Sequence, residues 1–278
     1  MSRGMITVQG KDHPHTRGLG GAGLRYTVGE PQAIARRVLA GEAFDAAEIA
    51  LSAALILADR GGPRAIPVFP ARDDVHGHVF VRRESPLRGF EELAGKRIAL
   101  RDFSSTPACW FRGLLTEIGV EWRSLAWEAG ARARFAPPPG AVVTASTADP
   151  EQRLLDGEVD AVLSAQVRDA GGELRPLLDD PRAVAEAWRR RTGILPIIHT
   201  VLVSDAAGPA APRAVFAAYA AARRRAGADG VPPYGLTPGN RAAVERLAAD
   251  LAEQGLIRTA LPIAALFHPG AETWRDED

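Results

Sequence analysis

A single cysteine, Cys109, leaves this 278-residue chain no internal disulfide framework and no multi-thiolate zinc site. No stretch approaches the ~20 consecutive apolar residues of a membrane span. Net charge is missing too. Lysine plus arginine and aspartate plus glutamate both number 34, so no global field favours DNA or anionic lipid. Lysine is scarce, and the basic side is almost all arginine beside abundant alanine, a coding bias with little functional content. The motifs G-x-G-x-x-G, P-loop, G-x-S-x-G and H-E-x-x-H are all absent. Met1-Ser2-Arg3-Gly4 leads straight into Met5-Ile6-Thr7-Val8, with no hydrophobic signal region and no small-residue cleavage site, so the expected compartment is the cytosol.

What is present is globular: 46% hydrophobic and 24% charged residues in a chain long enough for two α/β lobes. Strand-like and helix-like segments alternate, which predicts largely parallel sheets. Ile6–Val8, Phe44–Ala50, Ala65–Phe69, Val79–Val81, Lys96–Leu100, Ala141–Thr144, Val159–Ser164 and Ile197–Val203 read as strands. Pro31 to Leu39 reads as a helix with Pro31 in its first turn and Ile34, Val38 and Leu39 on one face. Ser52 opens an apolar helical run. Ser104-Ser105-Thr106-Pro107 reads as a helix start capped by Thr106. A last helix begins at Thr237-Pro238 and carries Val244, Leu247, Ala248 and Leu251 on one stripe, ending at Gly255. Gly10–Gly23 is a polar, glycine-rich stretch and Gly130–Gly140 reads as an irregular loop, with Trp122 and Trp127 flanking a loop. No repeat of solenoid period occurs.

Four stretches carry a family resemblance. They are Phe44-Asp45-Ala46-Ala47-Glu48-Ile49-Ala50-Leu51-Ser52; Ile66-Pro67-Val68-Phe69-Pro70-Ala71-Arg72 with His76 beyond it; Arg191-Thr192-Gly193-Ile194-Leu195-Pro196-Ile197-Ile198-His199; and Pro233-Tyr234-Gly235-Leu236. A fifth, weaker one is Leu93–Ala99. In these the chain resembles the 4,5-dihydroxyphthalate decarboxylases, which share the two-lobed type II periplasmic-binding-protein fold. The resemblance implies an α/β fold with a ligand cleft between lobes: residues 1–78 and 200–278 in one lobe, 79–199 in the other, and two strands crossing between them. It implies that His76 and His199 converge in the hinge floor. Val75 stands where the family has a basic residue, His13, His15 and His78 are unusual, and the chain is shorter around Gly18–Gly23 and Ala226–Pro232. These departures point to a ligand other than 4,5-dihydroxyphthalate, such as a smaller or less charged aromatic acid.

Decarboxylating a hydroxylated aromatic acid without a cofactor needs a cationic or helix-terminus anchor, an electron-donating phenol, and a general acid for the ring carbon that loses carbon dioxide. Histidine suits the last role, with a pKa near neutrality. The catalytic candidates are therefore His76 and His199, against the plainer reading that each is a structural histidine. Substrate anchors implied by the resemblance are Arg17, Arg72 and the Thr106 helix start, with Ser52 and Ser164 adding hydrogen bonds. Glu48, a carboxylate inside an apolar strand, needs an arginine or histidine partner. Trp110 and Tyr234 are able to face an aromatic ring, although core packing is the better reading of Trp110.

His13-Pro14-His15 and His76-Gly77-His78 form two H-x-H pairs whose members point the same way on an extended segment, a spacing compatible with a divalent metal. Short histidine pairs near loops often bind nothing, and the expectation is metal-free chemistry with no cofactor. The expected partner is a small aromatic carboxylate, with no nucleic acid and no membrane, and a homodimer is left open. Two other readings stand beside the decarboxylase: a non-catalytic solute-binding protein for a small carboxylate, and another lyase on the same fold, such as a dehydratase or cyclase.

Overall fold

The structure is a computed structural model that describes residues 5–21, 23–130, 134–168, 171–227 and 231–276. In chain order its strands are β1 (Ile6–Gly10), β2 (Gly20–Gly21), β3 (Leu24–Val28), β4 (Ala46–Ala50), β5 (Arg64–Ile66), β6 (Val79–Arg82), β7 (Arg97–Leu100), β8 (Ala126–Gly130), β9 (Val143–Ser146), β10 (Ala161–Leu163), β11 (Leu174–Pro176) and β12 (His199–Val203). The principal helices are α1 (Pro31–Leu39), α2 (Leu51–Asp59), α3 (Thr106–Glu117), α4 (Pro150–Leu155), α5 (Pro181–Thr192), α6 (Ala211–Arg225) and α7 (Pro238–Glu253). Among the described residues no helix is long and apolar enough to cross a membrane.

The strands form two six-stranded sheets, one ordered β2-β3-β1-β4-β12-β5 and the other β11-β6-β10-β7-β8-β9. In the first, β3, β1 and β4 run parallel, while β12 lies antiparallel between β4 and β5. In the second, β10, β7, β8 and β9 are parallel, with β6 and β11 added in alternating antiparallel sense. Every residue of β4, Ala-Ala-Glu-Ile-Ala, is buried, as expected of a strand covered on both faces.

The chain divides into two compact units. The first comprises residues 1–72, 197–248 and 259–278, and the second 73–196 and 249–258. The boundaries expected from sequence, at 78/79 and 199/200, lie a few residues away. The expectation of two passages is corrected: the chain passes from one unit to the other four times, because α7 begins in the first unit and residues 249–258 pack with the second. The reason is chemical. Gln254, fully buried, takes an N–H from Arg112 at 2.9 Å and donates to the Cys109 carbonyl at 2.9 Å. Trp122 and Arg123 hydrogen-bond Glu253 at 3.3 Å and 3.2 Å. Arg112 is itself buried, 4.0 Å from the Phe103 ring centroid and donating to the Phe103 carbonyl at 2.9 Å.

The core of the first unit gathers Val8, Ile66, Val68, Val201, Val203, Val215, Phe216, Tyr219 and Tyr234. The second is richer in rings, with Phe90, Phe103, Phe111, Trp122 and Trp127. Trp110 also lies in the interior, its ring edge-on to Trp188. Trp127 belongs to β8, a strand that the loop reading overlooked. Ser105, rather than Thr106, is the N-cap of α3, and Thr106 is its first residue. The strand reading also missed β3, directly after the glycine-rich stretch, which pairs in parallel with β1. Part of the loop expected at 130–140, residues 131–133, lies outside the described residues. Helix α5 escaped the periodicity reading because only Ala185 and Trp188 face inward, and its signals are terminal ones: Asp180 accepts from the Ala183 N–H and Gly193 closes the helix at φ 69°.

Candidate active site

The first unit concentrates chemistry along one edge of its sheet. Strands β1 and β4 run parallel and end at Gly10 and Ala50, and β5, antiparallel to β12, ends on the same side and leads into Pro67–Arg72. Antiparallel β12 starts there with His199, opposite Ala50. Glu48 is opposite Val201, two residues along β12 from His199, so the two side chains share a face as diagonal neighbours. The carboxyl edge of parallel strands is where open α/β sheets bind ligands.

Glu48 is the centre. Only 1% of it is exposed, and its Oε1 lies 2.6 Å from His199 Nδ1 and 2.8 Å from His13 Nε2. Its Oε2 accepts the Lys11 N–H at 2.9 Å. An ionised carboxylate only accepts, so both imidazoles donate to Oε1 and their tautomers are fixed. Burial alone drives the Glu48 carboxyl upward. The hydrogen bonds from His13 and His199, with Coulomb attraction to both rings, outweigh it and bring the pKa to about 2.

Gly10 makes this approach feasible: a Cβ there would meet the Tyr26 hydroxyl head-on and come within 2.8 Å of Glu48 Oε2. The Tyr26 hydroxyl donates to the Lys11 carbonyl at 2.8 Å, and burial pushes its phenol up to about 12. His13 caps a 3-10 turn, Pro14–Thr16, so the first H-x-H pair is not the extended segment expected. Its rings stack instead, with centroids 5.2 Å apart. His15 is buried with Nε2 lacking a partner, and desolvation, then the neighbouring His13, lower its pKa.

Arg72 is the second notable group. Its Nη2 donates to Asn240 Oδ1 at 2.6 Å, its Nε is buried without a partner, and it forms no ion pair among the described residues. Desolvation lowers its pKa to about 10. Asn240 in turn donates to the Pro233 and Gly235 carbonyls, at 2.9 and 2.6 Å, and the Gly235 N–H donates to the Pro67 carbonyl at 2.8 Å. Two of the family-like stretches are thus tied together around the guanidinium. Asn240 sits 168 positions from Arg72, and no local pattern signals that pairing. Tyr234 is fully buried, its ring edge-on to Tyr219.

The other candidates fall elsewhere. Arg17 is exposed, 68% of its side chain, and bound to Asp12 at 3.3 Å. Ser52 is buried at the second position of α2, directly after β4. In the second unit, Thr106 is buried at the head of α3, and Ser164 follows β10, which pairs in parallel with β7. The Ser164 hydroxyl donates to the Gln166 carbonyl at 2.5 Å. His76 is buried in a 3-10 turn with its ring 5.6 Å from Trp188 and 6.5 Å from Phe90, and desolvation lowers its pKa. His78 pairs with Asp73 at 3.0 Å. The structure thus groups His199 with Glu48 and His13, and places His76 among aromatic rings of the second unit. His13 was singled out in sequence only as half of an H-x-H pair, and nothing local announces its bond to a carboxylate 35 positions away.

This architecture is that of the periplasmic solute-binding proteins. The aliphatic sulphonate binding protein SsuA from Escherichia coli matches with a TM-score of 0.64 at 15% identity, over 96% of this chain and 92% of that one. The alkanesulfonate-binding protein SsuA from Xanthomonas axonopodis pv. citri, bound to MOPS, matches with a TM-score of 0.62 at 15% identity, over 96% and 99%. No family model matches the sequence. By sequence the chain is a distant homologue of the 4,5-dihydroxyphthalate decarboxylases. It is 28% identical to that of Comamonas testosteroni over 196 residues, 63% of this chain and 58% of the relative, and 25% identical to that of Pseudomonas putida over 182 residues, 59% and 70%. The match therefore spans less than two thirds of the Comamonas protein.

Proposed function

We propose that this protein is a cofactor-independent decarboxylase of a hydroxylated aromatic carboxylic acid, with His199 as the proton donor. The observation that carries the reading is the pairing of buried Glu48 with half-buried His199, 2.6 Å apart, in two of the stretches that resemble the decarboxylases. With Nδ1–H committed to Glu48, His199 takes a second proton from solvent at Nε2 and presents this Nε2–H to a substrate. A phenol oxygen ortho or para to the leaving group pushes electron density onto the ring, and the carbon bearing the carboxylate takes the Nε2 proton. The bond to the carboxylate then breaks, its electron pair restores the aromatic ring, and carbon dioxide departs. Arg72, a half-buried guanidinium whose buried Nε has no partner and which forms no ion pair among the described residues, suits an anionic oxygen of the substrate. Ser52, at the head of α2 in the same unit, is a further polar group beside the site. Arg17 and Ser164 are left out of the proposed site, since Asp12 and the Gln166 carbonyl already engage them. His76 is left out for its aromatic packing.

The likeness to SsuA proteins favours a second reading, a binding protein that captures a small carboxylate without reacting. One experiment separates the two. Hydroxylated benzoates, phthalates and heteroaromatic acids are screened by thermal shift, because a ligand of the native state stabilises it. Each hit is then incubated with the protein and carbon dioxide release is measured. Release abolished in His199→Asn supports the enzyme. Stabilisation by several acids with no release from any supports the binding protein.

A further inference from the structure

We propose that His13 Nε2, Glu48 Oε1 and His199 Nδ1 form a three-ligand site for a divalent transition-metal ion such as zinc, and that the bound ion antagonises the reaction proposed above. The binding claim stands on geometry alone. Only its effect on turnover rests on the decarboxylase reading.

The three ligand atoms all lie within 4.8 Å of one another, the one such group of histidine, cysteine and carboxylate side chains among the described residues. The donor set is borderline in softness, two imidazoles and one carboxylate, which suits zinc and its neighbours rather than calcium or magnesium. Three protein ligands leave the fourth tetrahedral position open. The parts are held in advance. The Lys11 N–H pins Glu48 Oε2 at 2.9 Å, which leaves Oε1 to face both rings. Stacking on His15 fixes the plane of His13, and His199 is rooted at the start of β12. His15, stacked on His13, lies outside the group of three ligands.

The nitrogens sit 2.6 and 2.8 Å from Oε1. Ligand atoms on a tetrahedral zinc are about 3.3 Å apart, given bonds of ~2.0–2.1 Å. Opening the two nitrogen–oxygen edges by well under an ångström, with the two nitrogens already within 4.8 Å of each other, replaces two hydrogen bonds with three metal bonds. The exchange has a chemical consequence. Both facing nitrogens must give up their protons, to the other ring nitrogen or to solvent. A His199 bound to the ion through Nδ1 carries at most the Nε2 proton and cannot form the doubly protonated ring that the proposed step draws on. Ion and doubly protonated ring thus exclude one another.

Protein purified without a histidine tag, treated with chelator and dialysed is titrated with zinc by calorimetry and with cobalt by visible absorption. One ion per chain should bind wild type, and Glu48→Gln and His13→Gln should lose saturable binding. Should either variant misfold, the histidine ring nitrogens of wild type, followed by NMR as zinc is added, must report two ligated imidazoles, assigned to His13 and His199. No saturable binding by wild type, or undiminished binding by folded His13→Gln, overturns the site. With a substrate in hand, zinc should suppress carbon dioxide release and chelator restore it. Activation by zinc would overturn the antagonism while leaving the site standing. If no acid is turned over, the decarboxylase reading fails and the titration still decides the site.

Discussion

His199 Nδ1 lies 2.6 Å from Glu48 Oε1 across two neighbouring antiparallel strands, although 151 positions separate them in the chain. A carboxylate so placed keeps one proton on Nδ1 and leaves Nε2 to take up the second proton and deliver it to substrate. Glu48→Gln keeps the shape and removes the fixed charge. Carbon dioxide release should fall by a factor on the order of 10², the scale of losing a general acid's support. His199→Gln should fall at least as far, while circular dichroism and ligand calorimetry change much less. Wild-type turnover by both variants would end the proposed mechanism.

Gly10 should tolerate no side chain. Alanine there collides with the Tyr26 hydroxyl and crowds Glu48 Oε2. Gly10→Ala should destabilise the protein by roughly 1–3 kcal/mol, as overpacking does. Tyr26→Phe removes the hydroxyl in the way, so the double variant should recover part of the loss. Thermal denaturation of the four proteins gives the coupling, and strict additivity would refute the collision.

Arg72 should govern binding more than turnover. Arg72→Gln keeps a donor but loses the charge. An ion-assisted hydrogen bond contributes about 1.5–3 kcal/mol, so the dissociation constant for an acid identified by the screen should rise roughly 10- to 100-fold. Calorimetry reads it directly. An unchanged affinity would mean that the guanidinium serves only Asn240 and the Pro233–Gly235 turn.

Acid stability should depend on Asp160. Burial raises its pKa, but hydrogen bonds from the Arg97 side chain and N–H outweigh that, and the net shift is below the ordinary 3.8. A carboxyl lowered in the folded state contributes stability above its unfolded pKa and loses it as pH falls through the folded one. Urea midpoints of wild type and Asp160→Asn should therefore differ at neutral pH and converge as pH drops below 3.8. A constant gap across that range would show that Arg97 does not stabilise the charged form.

Much of the scaffold was legible because it is local. The helix from Pro31 to Leu39 announces itself by its proline and apolar stripe, and its observed bounds are the same. Strand β4 is a short apolar run, and the carboxylate inside it called for an arginine or histidine partner, a place that His13 and His199 take. What stayed hidden is non-local. The turn at Pro14 aims His13 at Glu48, Arg72 meets Asn240 across the chain, and Gln254 seeks Arg112. None leaves a trace in periodicity, since each depends on which strands become neighbours. Arg17, which the resemblance implies as a substrate anchor, is exposed and paired with the nearby Asp12.

The hold of Gln254 on Arg112 bears on how the protein can be dissected. The second unit looks like an insertion that scissors at 72/73 and 196/197 would release. Such a fragment would leave behind residues 249–258 and with them the acceptor for a guanidinium sunk among Phe103, Trp122 and Trp127. A graft of this unit onto another scaffold must therefore carry a second piece of chain from more than fifty positions downstream. Recombination between relatives is constrained in the same way, because a crossover between Pro196 and Ala249 separates Arg112 from the glutamine that completes it.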